Sequence, residues 1–196
     1  MKLPEIIIKH DQNKNIMRVF VAIEISSNEI INSISKFQSE ININAKPIEP
    51  HHLHFTLQFL GEISQDMAEK VKIVLNSVEF SSFNVNLKGL GVFPTLKFPR
   101  IIWIGTDENG GKLLIELAKK VEKALTPLGF SVDKPFKPHI TVFRIKNKIG
   151  DIGKEMNKFK LIDFGMQEIT EFKLKQSVLG SKGPVYSNLV EIKSVS

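Results

Sequence analysis

The chain has 196 residues, 42% hydrophobic and 24% charged, with no cysteine and a formal charge of +6. Without cysteine there is no disulfide, no thiolate metal site and no Cys nucleophile, and no apolar run approaches the roughly 20 residues a membrane helix needs. The basic balance, with pI ≈ 9.4, favours polyanionic partners without naming one. The length suits one large domain or two small lobes sharing a core.

Residues 1–16 read as an N-terminal extension or an alternative start, and residues 17–196 as a single bilobal domain. The first residues lack the basic, apolar and small-residue order of a secretory signal, so a cytoplasmic location is expected. Arg18 to Ile25 (RVFVAIEI) reads as a strand. Ser26 is a plausible cap for a helix to about Ser39, with Ile30, Ile31 and Ile34 on one side. Pro47 and Pro50 break the chain, and the next strand carries Leu53-His54-Phe55-Thr56-Leu57. Strict alternation places Phe55, Leu57 and Phe59 in a core and His54, Thr56 and Gln58 outward.

Gly61 ends that strand, and Ser64 caps a helix to about Asn76 with Met67, Val71, Val74 and Leu75 at helical spacing. Phe83–Leu90 alternates as a strand. A loop punctuated by Gly89, Gly91, Pro94 and Pro99 follows, then a buried strand at Arg100–Gly105 holding the only tryptophan, Trp103, read as packing. Residues 111–125 carry one apolar stripe (Leu113, Leu114, Leu117, Val121, Leu125) and stop at Gly129. The second motif strand, Pro138-His139-Ile140-Thr141-Val142, buries Ile140 and Val142 and presents His139 and Thr141. Strands near 164–178 and 185–192, joined by a turn at 180–184, close the chain. Strands in antiparallel-looking groups with few helices, and no strict β-α-β order, indicate an α+β fold.

The repeated His-x-Thr suggests two halves facing each other across a cleft. Histidine's ordinary pKa near 6.5 lets one copy be neutral and the other protonated near pH 7. The neutral ring takes a proton from water and the other gives one to a leaving alkoxide. Threonine hydroxyls donate to non-bridging phosphate oxygens. This division of labour on a phosphodiester requires no metal. The rival chemistry is a His52/His54/His139 metal site, but the nearest acids in sequence, Glu49, Glu62 and Asp133, lie in flanking turns. Lys134, Lys137, Arg144, Lys146 and Lys148 surround the second motif and would hold phosphate near it. Alternation puts Arg144 opposite His139, so it reaches the cleft only if the strand bulges. Phe143 shares His139's parity, which leaves it between base stacking and core packing.

The blocks RVFVAI, LHFTLQFLG, GLGVFP, PRIIWIG, FKPHITVFR and SVLGSKGPVY, in this order from about Arg18 to Tyr186, resemble the two-histidine phosphoesterase superfamily and its LigT-type RNA 2′,3′-cyclic phosphodiesterase branch. The resemblance implies a bilobal α+β fold with a cleft between two antiparallel sheets, flanked by helices. It implies hydrolysis of a ribose 2′,3′-cyclic phosphate to a 2′-phosphomonoester without metal or other cofactor. By position His54 and His139 are catalytic, and Thr56, Thr141 and Arg144 bind phosphate. The family's mechanism gives His139 the activation of water and His54 the protonation of O3′. Lys46-Pro47 stands where the family often has an aromatic residue, and Lys134 or Lys137 where it often has Arg. The expected partner is RNA with a cyclic phosphate end, from tRNA or elsewhere, or a small cyclic nucleotide, met by a monomer with no membrane. The alternatives are 2′–5′ RNA ligation, an ADP-ribose cyclic phosphate substrate, or an RNA-end-binding module without catalysis.

Overall fold

A computed structural model describes residues 16–181 and 183–195; the expected extension at 1–16 falls almost wholly outside them. Nine strands and four helices follow in the order β1 (Ile16–Glu24), α1 (Asn28–Glu40), β2 (Lys46–Pro47), β3 (His54–Ser64), α2 (Gln65–Asn76), β4 (Phe83–Thr95), β5 (Phe98–Thr106), α3 (Glu108–Leu125), β6 (Ile140–Arg144), α4 (Gly153–Lys158), β7 (Asp163–Ile169), β8 (Glu171–Gly180) and β9 (Gly183–Lys193). The strands pair in the order β7-β4-β5-β6-β3-β1-β8-β9, with β2 on β6, and every pairing named is antiparallel. The two expected sheets are the halves of this one sheet. Along the strand order, among the described residues, they join at β3 and β6, through the pair Phe55–Ile140.

Each half contains the same unit: a strand, a helix, then a motif strand that pairs back on the first. These units are β1–α1–β3 and β5–α3–β6. Apolar side chains explain the layering. Ile30, Ile34 and Phe37 of α1, Val71 and Leu75 of α2, and Leu114, Leu117, Val121 and Leu125 of α3 are buried against the sheet's helical face. Caps fix the helix starts: Ser27 (not Ser26) accepts from Ile30 N, Ser64 from Met67 N at 3.2 Å, and Asp107 from Gly110 N at 2.9 Å. Ser26 is drawn off instead to Gln167, whose side-chain amide donates to the Ser26 hydroxyl.

The structure departs from the sequence reading in three stretches, the first being β3, which runs past Gly61 to Ser64 in register with β1. The expected glycine- and proline-rich loop is strand, because β4 runs on to Thr95. Gly91 stays in the strand since a Cβ there would overlap the Trp103 ring on β5, and Gly89, at φ +71°, sits in a register shift between Lys88 and Leu90. The expected 164–178 strand is two strands, and the chain crosses at Thr170 from the edge of one half to the other. Among the described residues, no helix is long and apolar enough to cross a membrane.

Candidate active site

Both motif strands turn their histidines to the face away from the helices. His54 opens β3, and His139 immediately precedes β6. In each case ring Nδ1 lies 2.7 Å from the backbone carbonyl two residues earlier, that of His52 for His54 and that of Lys137 for His139. A carbonyl can only accept, so Nδ1–H is the donor in both rings, and Nε2 is left as the nitrogen able to exchange a proton with a ligand. The orientation is thus set by backbone, twice, with the same geometry. Thr56 and Thr141 follow on the same faces, half-buried.

Beyond the threonines, both strands break alternation at the same place. β3 pairs Ala22 with Thr56 but Val21 with Gln58, so Leu57 is an extra residue; β6 pairs Trp103 with Thr141 but Ile102 with Phe143, so Val142 is extra. An unpaired residue inverts everything after it. Arg144 therefore returns to the face of His139 and Thr141. Across the site, burial raises the pKa of the Tyr186 hydroxyl in the opposite half, and the Arg144 charge offsets part of that rise. Phe143 turns inward, 2% exposed and packed on Phe37, which removes it as a stacking residue. In β3 the same inversion buries Gln58 and leaves Phe59 71% exposed, the reverse of the expected faces. Phe59 is the counterpart of Arg144, three residues past its threonine, and its ring lies 5.8 Å from that of Phe20.

The two histidines have different surroundings. Phe20 lies 5.3 Å and Tyr186 5.7 Å from the His54 ring, centroid to centroid. Burial there, helped by the Lys175 charge and resisted by the His52 carbonyl and Glu24, pushes the His54 pKa down to about 4. His54 is neutral at pH 7, with its lone pair on Nε2. His139 stands half-exposed between Phe93 at 5.4 Å and Trp103 at 6.1 Å. Trp103 pairs with Thr141 in register and so belongs to the site rather than to the core alone.

A charged cluster that sequence reading missed adjoins His54. Glu24 is its register partner, and it receives ion pairs from Lys175 and, at 2.7 Å, from Lys173. Lys175 is only 4% exposed and also donates to Asn188 at 2.6 Å. Burial disfavours the Lys173 charge, but Glu24, Glu171 and Glu191 outweigh it and hold its pKa above the lysine range. Burial likewise opposes the Glu24 charge, and the two lysines overcome it and keep the carboxyl below its ordinary value. The only sequence signal for this cluster was alternation in Phe172–Lys175, which places both lysines on strand β8.

His51 and His52 form the turn before β3, with their rings 4.0 Å apart and His52 4.7 Å from Tyr186. Among the described residues, no group of three or more His, Asp or Glu is arranged to hold a metal ion. Lys46 pairs with Arg144 through β2, while Lys134 and Lys137 are exposed on the approach to His139.

A profile of the AKAP7 2′5′ RNA ligase-like domain matches residues 18–193. The RNA 2′,3′-cyclic phosphodiesterase of Archaeoglobus fulgidus is 39% identical over 175 residues, covering 88% of this chain and 98% of that protein. That of Aquifex aeolicus is 36% identical over 185 residues, covering 90% and 96%. A crystal structure of a Thermus thermophilus protein superposes with a TM-score of 0.75 at 29% identity, covering 90% of this chain and 97% of its own. Escherichia coli LigT in its apo form gives 0.75 at 22% identity, over 92% and 99%, a likeness of fold.

Proposed function

We propose that this chain, which belongs to the AKAP7 2′5′ RNA ligase-like family, hydrolyses RNA 2′,3′-cyclic phosphate ends to 2′-phosphomonoesters by two-histidine catalysis without a metal. The observation that carries the mechanism is the mirrored pair of rings, each held at Nδ1 by a backbone carbonyl 2.7 Å away. The names of the relatives from A. fulgidus and A. aeolicus support the substrate class.

The neutral state of His54 favours one order of proton transfers. Its Nε2 takes a proton from water as the water oxygen bonds to phosphorus. The P–O3′ bond breaks, and His139 Nε2–H delivers its proton to the departing O3′. This order is the reverse of the one the family resemblance implies, and it follows from the burial of His54 among Phe20 and Tyr186. Thr56 and Thr141 donate to the non-bridging oxygens, where charge accumulates, and the Arg144 guanidinium neutralises it from the same face. Phe59, exposed beside Phe20, offers a ring on which the terminal base stacks.

Purified protein in EDTA is incubated with a short RNA ending in a 2′,3′-cyclic phosphate, and products are separated against 2′- and 3′-phosphate standards. Conversion to the 2′-phosphate is expected, with turnover lowered about 10²–10⁴-fold in His54→Ala and in His139→Ala. Activity lost in EDTA and restored by zinc overturns the metal-free mechanism; binding without conversion overturns the enzymatic one. A substrate with bridging sulfur at the 3′ position leaves without protonation. It should restore turnover to His139→Ala and not to His54→Ala, whereas the opposite pattern reverses the roles.

A further inference from the structure

We infer that a basic pocket at the tip of the β4–β5 hairpin, away from the histidines, binds the phosphodiester backbone of the substrate RNA upstream of its 3′ end. This rests on the reading of the substrate as an RNA terminus, and it makes that substrate a chain rather than a mononucleotide. The pocket encloses about 270 Å³ and is lined by Lys97, Phe98, Arg100, Lys148, Ile149 and Gly150 among others, with three cations and no carboxylate.

The pocket is held in shape. Ile145 N–H donates to the Arg100 carbonyl at 2.9 Å and Ile152 N–H to the Leu96 carbonyl at 3.2 Å, which ties the hairpin tip to the segment after β6. The Arg100 guanidinium donates to the Lys146 carbonyl at 3.0 Å through one nitrogen, leaving the rest of its fork for a ligand. Lys148 Nζ stands 5.7 Å over the ring of Phe98, which is 59% exposed. The nearby acids are engaged elsewhere: Asp151 accepts from Gly153 N–H at 2.7 Å, and Glu155 pairs with Lys158 at 2.6 Å. Lys36, Lys72, Lys112 and Lys158 each sit on a carboxylate. Among the described residues, Lys97, Arg100 and Lys148 have no such ion pair, so their charge is available to a polyanion.

Register places this pocket just beyond the candidate site along β5 and β6. Trp103 pairs with Thr141 and Ile101 with Arg144, the next contact along the two strands is the Ile145 N–H bond to the Arg100 carbonyl, and Arg100 is the extra residue of β5 between Pro99 and Ile101. From Trp103 to Phe98 the strand covers about 16 Å at its usual rise. That distance spans roughly five nucleotides at the ~3.4 Å spacing of a stacked strand, and fewer of an extended one. Cations interleaved with an exposed aromatic ring are the features that hold single-stranded nucleic acid without reading its sequence.

The test uses RNAs of two and eight nucleotides ending in a 2′-phosphate, which are not turned over, with binding followed by fluorescence anisotropy. The native protein should bind the longer RNA about tenfold more tightly or better, and the double variant Lys97→Gln/Arg100→Gln should lose most of that gain. The dependence of log affinity on log salt should flatten by about 1.4, from roughly 0.7 for each of two phosphates. Turnover of a 2′,3′-cyclic mononucleotide should stay at the native rate, which also shows that the variant folds. A native protein indifferent to length, or a variant that keeps the length gain, overturns the proposal. If the native protein hydrolyses neither cyclic mononucleotide nor cyclic-ended RNA, the functional reading fails instead, and the length dependence of binding still decides the pocket.

Discussion

Acidification should expose the buried state of His54 as a loss of stability. Burial moves its pKa from 6.5 to about 4, so between those values the unfolded chain holds a proton that the folded chain refuses. Stability therefore rises with pH across this window, and it is lost as pH falls from 6.5 toward 4. At about 1.4 kcal/mol per pH unit, the full difference is roughly 3 kcal/mol. Urea unfolding of the native protein and of His54→Gln, at steps from pH 7 to pH 4.5, isolates this contribution. His52, whose pKa burial also lowers, is present in both proteins and cancels in the difference. The native protein should lose most of those roughly 3 kcal/mol relative to His54→Gln over the series, and the His54 ring resonance should titrate near pH 4. A ring midpoint at pH 6 or above, with parallel stability curves, refutes both the buried neutral imidazole and its assignment as the proton acceptor.

Three substitutions test the rest of the site. Arg144→Ala removes a charged donor set from an exposed position; at about 1.5–3 kcal/mol for hydrogen bonds to a charged group, KM should rise roughly 10- to 150-fold with the melting temperature unchanged. Phe59→Ala should raise KM by about 1–3 kcal/mol of lost stacking while leaving stability intact, since the ring is 71% exposed, and steady-state kinetics beside a thermal melt separates this from core packing. Glu24→Gln leaves the buried Lys175 with Asn188 alone and should destabilise the fold by about 3 kcal/mol in urea. Because the Glu24 charge favours the imidazolium, the same variant should lower the His54 midpoint further, read by the same ring titration.

Alternation made the site legible because side-chain faces repeat every two residues, and nothing between His54 and Thr56, or between His139 and Thr141, interrupts that repeat. The helices were legible for a similar reason: the stripe from Leu114 to Leu125 and the cap at Ser64 are local, whereas the Asp107 cap and the first turn of α3 were not read. Legibility ends where a partner far away in sequence decides. Whether Leu57 and Val142 are paired or extra depends on β1 and β5, and this alone sends Phe59 outward and Phe143 inward. The Gly89–Pro94 stretch has the composition of a loop, and only the Trp103 ring lying over Gly91 shows why glycine belongs in that strand. The Glu24–Lys175 pair joins residues 151 positions apart, beyond the reach of any periodicity.

The two halves repeat one device and then use it differently. In each, a histidine is held by the carbonyl two residues back, a threonine follows, and an extra residue returns the third position beyond it to the same face. The half with Phe20 and Tyr186 surrounds its histidine with rings and ends on Phe59, which removes water and keeps the imidazole neutral. The other half leaves its histidine half-exposed and ends on Arg144, with Lys134 and Lys137 on the approach. A symmetric pair of rings in identical surroundings would titrate together, and neither would be reliably the acceptor while the other was the donor. Unequal burial would break that degeneracy, so under the proposed mechanism the asymmetry around the duplicated motif suits two identical residues to opposite halves of one proton transfer.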